Sequence, residues 1–225
     1  MMKEEVVLLR SGARARVCRG TLEAKVGVIA LHPWGPLGGS MDDPHVVTVT
    51  RLFGSQGCAT ARVAFRTGFS CGASPLLDVE AAAEVLLDMD NIDRILVVGY
   101  SYGSIVAMAA DFPESIGWVS INPPLDVTWA LFLFKGHEML ERARKTQKPK
   151  LLLHATNDGF CSNESFDSFV KSLPDHKLPI NIPGANHFDV IRHIPDAIHR
   201  FLREAFHVTD FNAFVRGDFP ASSPP

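Results

Sequence analysis

Between Ile95 and Asp111 the chain reads ILVVGYSYGSIVAMAAD, and this stretch constrains the fold more than any other. Branched apolar residues, enough for a fully buried strand, stop at a serine set between two glycines, and helical periodicity follows. A serine held on so sharp a strand-to-helix turn adopts a strained backbone, and bulky residues at the two flanking glycine positions would collide with strand and helix. Gly99 and Gly103 remove those collisions. The turn then presents the Ser101 hydroxyl above the sheet edge at the start of a helix, where amide groups and the helix dipole favour developing negative charge. The plainer reading is a serine-capped turn; the strand before it and the helix after it favour a nucleophile.

The rest of the chain supplies a sheet for that turn. Short apolar runs alternate with segments of helical period, the pattern of βαβ units and a mainly parallel sheet. Strands are expected at 6–10, 14–20, 26–32, 59–65, 94–100, 118–123, 150–156 and 178–184. The first two are separated by Ser11-Gly12-Ala13, which predicts an antiparallel hairpin at the sheet edge. From Val26 onward the strands are near-continuously apolar, as expected when helices cover both faces. Val46, Val49, Leu52 and Phe53 form one helical stripe, closed by Gly54 or Gly57. Val79, Ala82, Ala83, Leu86 and Leu87 form a second, and Ile198, Phe201, Leu202, Ala205 and Phe206 a third. The fold class is therefore α/β: an eight-stranded, mainly parallel sheet with helices on both faces. One domain over 1–207 accounts for the pattern, and the loss of periodicity after it predicts a loosely held tail over 208–225.

Composition narrows the function classes. A net charge of −3 with scattered basic residues leaves no electrostatic footprint for nucleic acid, and no run of apolar residues is long enough for a membrane span. Cys18, Cys58, Cys71 and Cys161 form no CxxC pair and read as reduced thiols. The opening MMKEEVVLLRSGARAR is charged within its first five residues and has no signal-peptide core, so the expected address is cytoplasmic. The expected partner is a small molecule.

A serine nucleophile requires a base and an orienting carboxylate. His187, in IPGANHFDV just past the last strand, belongs to the same sheet edge as Ser101. His154 lies inside an apolar strand and reads as a core residue. Asp158, in LLLHATNDGF just past a buried strand, is the expected acid, although Asn-Asp-Gly is also a common turn; Asp126, after the preceding strand, is the fallback. For the oxyanion, the backbone N–H of Tyr102 is one donor. The other comes from HPWGPLGGSMDD: Pro33 and Pro36 have no N–H, so Trp34 leads with Gly35 behind it. The loop lacks the GK[ST] of a phosphate cradle, and no metal or organic cofactor is implied.

With these residues in place, the chain over 1–207 resembles the α/β-hydrolase superfamily. LHPWGPLGGSMDD, the Ala-Phe-Arg after the next strand, GYSYGS and INPP are similar to a group of small hydrolases with an HPHP…GG-x-M-x-N loop, described as esterases or serine peptidase-like hydrolases. His32, Pro33, Gly38, Gly39 and Met41 match that loop; its second histidine is Trp34 here, and its asparagine is Asp43 or Asp42. The resemblance implies the roles argued for Ser101, Asp158 and His187. The leading expectation is a serine hydrolase cleaving a carboxylic ester or thioester. The alternatives are a non-catalytic relative that binds a small ligand or protein partner, and a peptidase-like hydrolase. Only Leu125 to Pro149 could supply a cap between the late strands, so little or no cap is expected. Trp129, Leu131, Phe132 and Phe134 either pack on the core or make a short apolar wall beside Phe160 and Phe188.

Overall fold

The apolar runs from Val26 onward become the centre of one sheet in the computed structural model, which describes residues 3–66, 73–89, 91–133 and 135–220. Its strands are β1 (Glu4–Leu8), β2 (Arg14–Cys18), β3 (Val26–Leu31), β4 (Ala59–Ala64), β5 (Arg94–Tyr100), β6 (Ser115–Ile121), β7 (Lys150–Ala155) and β8 (Lys177–Ile182). The order across the sheet is β1-β2-β4-β3-β5-β6-β7-β8. β2 runs antiparallel to β1 and β4, and the other pairs are parallel. The chain starts its parallel winding at β3, steps outward to β4 and returns to β5 on the other side. That reversal opens a crevice at the carboxyl ends of β3 and β5, where open α/β sheets bind ligands.

Burial follows position in the sheet. β3 and β7 are buried along their whole length, whereas β8, the last strand, alternates between half-buried and exposed residues because only one neighbour covers it. The same reason moves β1 to Glu4–Leu8 from the expected 6–10: at an edge, Glu4 and Glu5 keep their side chains in water while their backbone pairs with Cys18 and Val17. β6 begins at Ser115 rather than Trp118, because Gly117, at φ 154, absorbs a shift in the β5/β6 register inside the strand. The predicted hairpin is present, with Gly12 at φ 87 and its N–H on the Leu9 carbonyl.

Helices α1 (Pro44–Ser55), α2 (Ala73–Leu87), α3 (Tyr102–Ala109), α4 (Thr128–Leu131), α5 (Gly136–Lys145), α6 (Asn163–Ser172) and α7 (Ile194–Phe206) fill the crossovers and the final segment. α1 buries Val46, Val49 and Phe53, and α7 buries Ile194, Ala197, Ile198, Phe201, Leu202 and Phe206. Burying one such side chain contributes about 1.5–3 kcal/mol. α2 starts ahead of the stripe that announced it, with Pro75 in its first turn, where a missing N–H costs nothing.

The segment after His207 departs from expectation. Instead of hanging loose, residues 208–220 form α8 (Phe211–Val215) and dock on the core. Phe214 and Val215 are buried. The Lys25 N–H donates to the Val215 carbonyl at 2.8 Å, Arg94 Nη1 donates to the Gly217 carbonyl at 2.7 Å, and the Arg94 guanidinium lies 4.9 Å over the Phe219 ring. A helix this short is invisible to a periodicity test, and its partners are distant in sequence. Residues 221–225, Cys71 and Phe134 lie outside the described residues.

Candidate active site

β5 delivers Ser101 to the crevice. Its φ of 53 and ψ of −121 place it in a sparsely populated region, at a cost on the order of 1–3 kcal/mol that the surroundings must sustain. The surroundings are tight: a Cβ at Gly99 would overlap the Gly103 carbonyl, and one at Gly103 would overlap the Leu31 carbonyl of β3. The Ser101 N–H donates to the Ile121 carbonyl at 2.9 Å, and Ser104 Oγ donates to the Ser101 carbonyl at 2.6 Å.

His187 and Asp158 arrive from the ends of β8 and β7. His187 Nε2 is 3.0 Å from Ser101 Oγ, and His187 Nδ1 is 2.6 Å from Asp158 Oδ2. The Asp158 side chain is fully buried, and its Oδ1 accepts the Phe160 N–H at 2.7 Å. An ionised carboxylate only accepts, so the imidazole proton sits on Nδ1 and the Nε2 lone pair faces the serine hydroxyl. Asp126 is occupied elsewhere: its Oδ2 accepts the Ser162 N–H at 2.7 Å. Burial pushes the Asp126 carboxyl up, but hydrogen bonds from Ser165 and Ser162 outweigh it and hold the carboxyl below its usual value. His154 is a core residue, stacked on Phe166 with Nε2 3.0 Å from Asn163 Oδ1. Burial lowers its pKa and leaves it neutral.

The loop after β3 is shaped by His32. Its buried ring accepts the Phe65 N–H on Nε2 at 3.2 Å and donates from Nδ1 to the Pro33 carbonyl at 2.5 Å. Burial pushes the His32 pKa down, which keeps the neutral ring this pairing needs. The Pro33–Trp34 peptide is trans, so fixing its carbonyl on His32 aims the Trp34 N–H the opposite way. The loop then folds back, with the Gly39 N–H donating to the Trp34 carbonyl at 3.1 Å and Gly39 packed too closely on Pro33 to admit a side chain. Gly35 is exposed at the start of a short 3₁₀ turn, Gly35–Leu37.

Aromatic rings surround the serine and histidine. Tyr102 opens α3, stacked on buried Phe132 at 4.7 Å with Phe65 at its edge. Phe160 and Phe188 meet the His187 ring edge-on at 4.8 and 5.4 Å. Thus Phe132 belongs to the core, while Trp129 and Phe188 remain 64% and 67% exposed. Among the described residues no group of three or more His, Cys, Asp or Glu side chains is placed to hold a metal ion, and no helix is long and apolar enough to cross a membrane.

Three contacts on the His187 loop escaped the sequence reading. Tyr100 Oη and Asn122 Nδ2 both donate to the His187 carbonyl, at 3.0 and 2.8 Å. Burial, then the charges of Asp43 and Asp158, push the Tyr100 phenol up, so it keeps its proton and donates. Asn122 Oδ1 also accepts the Ala155 N–H at 2.9 Å, so one buried side chain ties β6 and β7 to the histidine loop. The available signal within INPP was an asparagine at a strand end, a residue type that readily takes positive φ, and here its φ is 46. The third contact, from His45, had no such signal, because its position in an amphipathic helix looks ordinary.

No family model matches the chain. An alpha/beta hydrolase domain-containing protein, aho-3, of Caenorhabditis elegans is 22% identical over 154 residues, which cover 63% of this chain and 43% of that protein. Among solved structures, a serine hydrolase of Xanthomonas campestris described as having no lid superposes with a TM-score of 0.74 at 20% identity, covering 93% of this chain and 97% of that one. The fold is that of the α/β-hydrolases. A Pyrococcus furiosus esterase shares it, with a TM-score of 0.73 at 19% identity over 90% of this chain and 91% of that one. As expected of an α/β-hydrolase with minimal cap, the described residues of the β6-to-β7 crossover form a 3₁₀ turn, the single-turn α4 and the crossover helix α5. In chain order Ser101, Asp158 and His187 follow β5, β7 and β8.

Proposed function

We propose that this α/β-hydrolase is a serine hydrolase that cleaves a carboxylic ester or thioester through an acyl-enzyme. The observation that carries the reading is the continuous chain from Ser101 Oγ through His187 to buried Asp158, at 3.0 and 2.6 Å, on a serine of strained backbone. Ser101 Oγ attacks the carbonyl carbon while His187 Nε2 takes its proton, and Asp158 holds the ring and stabilises the imidazolium. The N–H groups of Tyr102 and Trp34 bind the oxyanion. Collapse breaks the bond to the alcohol or thiol, which leaves with the proton from His187. Water then repeats the sequence on the acyl-serine and frees the acid. Buried free thiols at Cys18, Cys58 and Cys161 support a reducing compartment such as the cytoplasm. The test is hydrolysis of p-nitrophenyl acetate together with labelling by a fluorophosphonate; a folded protein that does neither would instead be a binding member of the fold.

The Trp34 assignment concerns its backbone. Trp34→Phe is expected to keep most activity, whereas Trp34→Pro, which deletes the N–H, should lose at least about 10² in kcat. Equal losses in the two variants, both verified as folded by circular dichroism, would make the indole the working part.

Among the described residues the β6-to-β7 crossover builds no substantial cap, which predicts preference for short acyl groups. Phe160 and Phe188 flank His187, and each methylene they bury adds about 0.8 kcal/mol. Beyond them a longer chain gains nothing from the protein. On p-nitrophenyl esters from acetate to palmitate, kcat/KM should peak at short chains; a steady rise to palmitate would overturn the open-site reading.

A further inference from the structure

His45 stands in the first turn of α1, only 6% exposed, with its ring stacked on Tyr100 at 3.7 Å and 15° between planes. Its Nε2 is 3.1 Å from the Phe188 carbonyl oxygen, and its Nδ1 is 3.0 Å from Oδ1 of Asp43, the residue that caps α1. A carbonyl oxygen only accepts, so Nε2 carries the hydrogen in that bond.

The backbone around His187 depends on outside partners. Residues 186–188 lie between β8 and the 3₁₀ helix Asp189–His193 and belong to no regular element. Asn186 Oδ1 accepts the N–H groups of Phe188 and Asp189, and the His187 carbonyl is taken by Tyr100 and Asn122. The Phe188 carbonyl stands at the N-cap of the 3₁₀ helix and receives its side-chain donor from His45, beside a side chain that is 67% exposed. The 3₁₀ turn orients that carbonyl locally, and His45 is what ties it to α1. His45 also follows directly on the loop 33–43, which carries Trp34. One imidazole therefore joins the segment of the proposed oxyanion donor to the segment of the proposed base.

We propose that His45 is a positioning residue: by donating from Nε2 to the Phe188 carbonyl it holds the His187 loop in register with Ser101. The inference rests on the serine-hydrolase reading above. Reacting groups displaced by about 1 Å lose on the order of 10² in rate, so a loosened loop shows in kcat rather than in substrate binding.

Three substitutions separate the parts of the ring. His45→Gln puts an amide nitrogen where Nε2 stood and keeps the donor to Phe188. His45→Asn puts one where Nδ1 stood and keeps only the contact with Asp43. His45→Phe keeps the stack on Tyr100 and neither hydrogen bond. With p-nitrophenyl acetate, the Asn and Phe variants should lose about 10- to 100-fold in kcat with KM little changed, and their fluorophosphonate labelling should slow in parallel. The Gln variant should remain within about threefold of wild type. Wild-type kcat in the Asn or Phe variant, or a Gln variant as impaired as Phe, overturns the assignment. If His45→Phe melts near the assay temperature, the Gln and Asn pair decides, and equal kcat in the two overturns it. The underlying reading is tested separately: if wild-type protein is not labelled at Ser101, that reading fails; if it is labelled and the His45 series is flat, only this inference fails.

Discussion

Ser101→Ala is expected to abolish both ester hydrolysis and fluorophosphonate labelling, with a loss on the order of 10⁶ in kcat. The size follows from the role: without the hydroxyl no acyl-enzyme forms, and His187 has no proton to remove. Stability should change little or rise slightly. The backbone at φ 53 is strained with either residue, and the Ser101 contacts to Ile121 and Ser104 use its main chain, which alanine keeps. The discriminating experiment pairs kinetics with a thermal melt. Loss of activity with an unchanged melting temperature is the expected result, and labelling that survives in the folded variant would remove Ser101 from the mechanism.

Asp158→Asn should cost roughly 10⁴ in kcat, and Asp126→Asn far less. The amide introduced by Asp158→Asn would present either an N–H or a carbonyl to His187 Nδ1; if the N–H faces Nδ1, the imidazole must turn its proton toward Ser101 and can no longer act as base. Asp126 has no bond to His187; it accepts from Ser162. Its replacement weakens that contact and leaves the imidazole tautomer alone. Both variants are to be assayed on the same ester with folding checked by circular dichroism. A larger loss from Asp126→Asn would shift the acid to the loop after β6.

These residues were legible for a local reason. Ser101, Asp158 and His187 each follow a strand that announces itself by an apolar run, and parallel strands share one carboxyl edge. The contacts that hold them are a different matter. Tyr100 meets the His187 carbonyl across 87 positions of sequence, Asn122 across 65, and His45 meets Phe188 across 143. Hydrogen bonds of that span leave no periodicity, and their side chains sit in a strand, a strand end and an ordinary helix. Chain order favours Asp158 over Asp126 although its Asn-Asp-Gly equally suits a plain turn, and the 2.6 Å contact with His187 agrees with that choice.

By itself, then, the amino-acid order determined the α/β class, the count of eight strands, the serine turn and the short β6-to-β7 crossover, because apolar period and glycine sterics act over a few residues. Tertiary structure alone decided what clamps the loop that carries His187, and that residues 208–220 dock through Phe214 and Phe219 on Phe206 and Arg94. Those outcomes turn on distances between segments far apart in the chain, and such distances exist only after the core has closed.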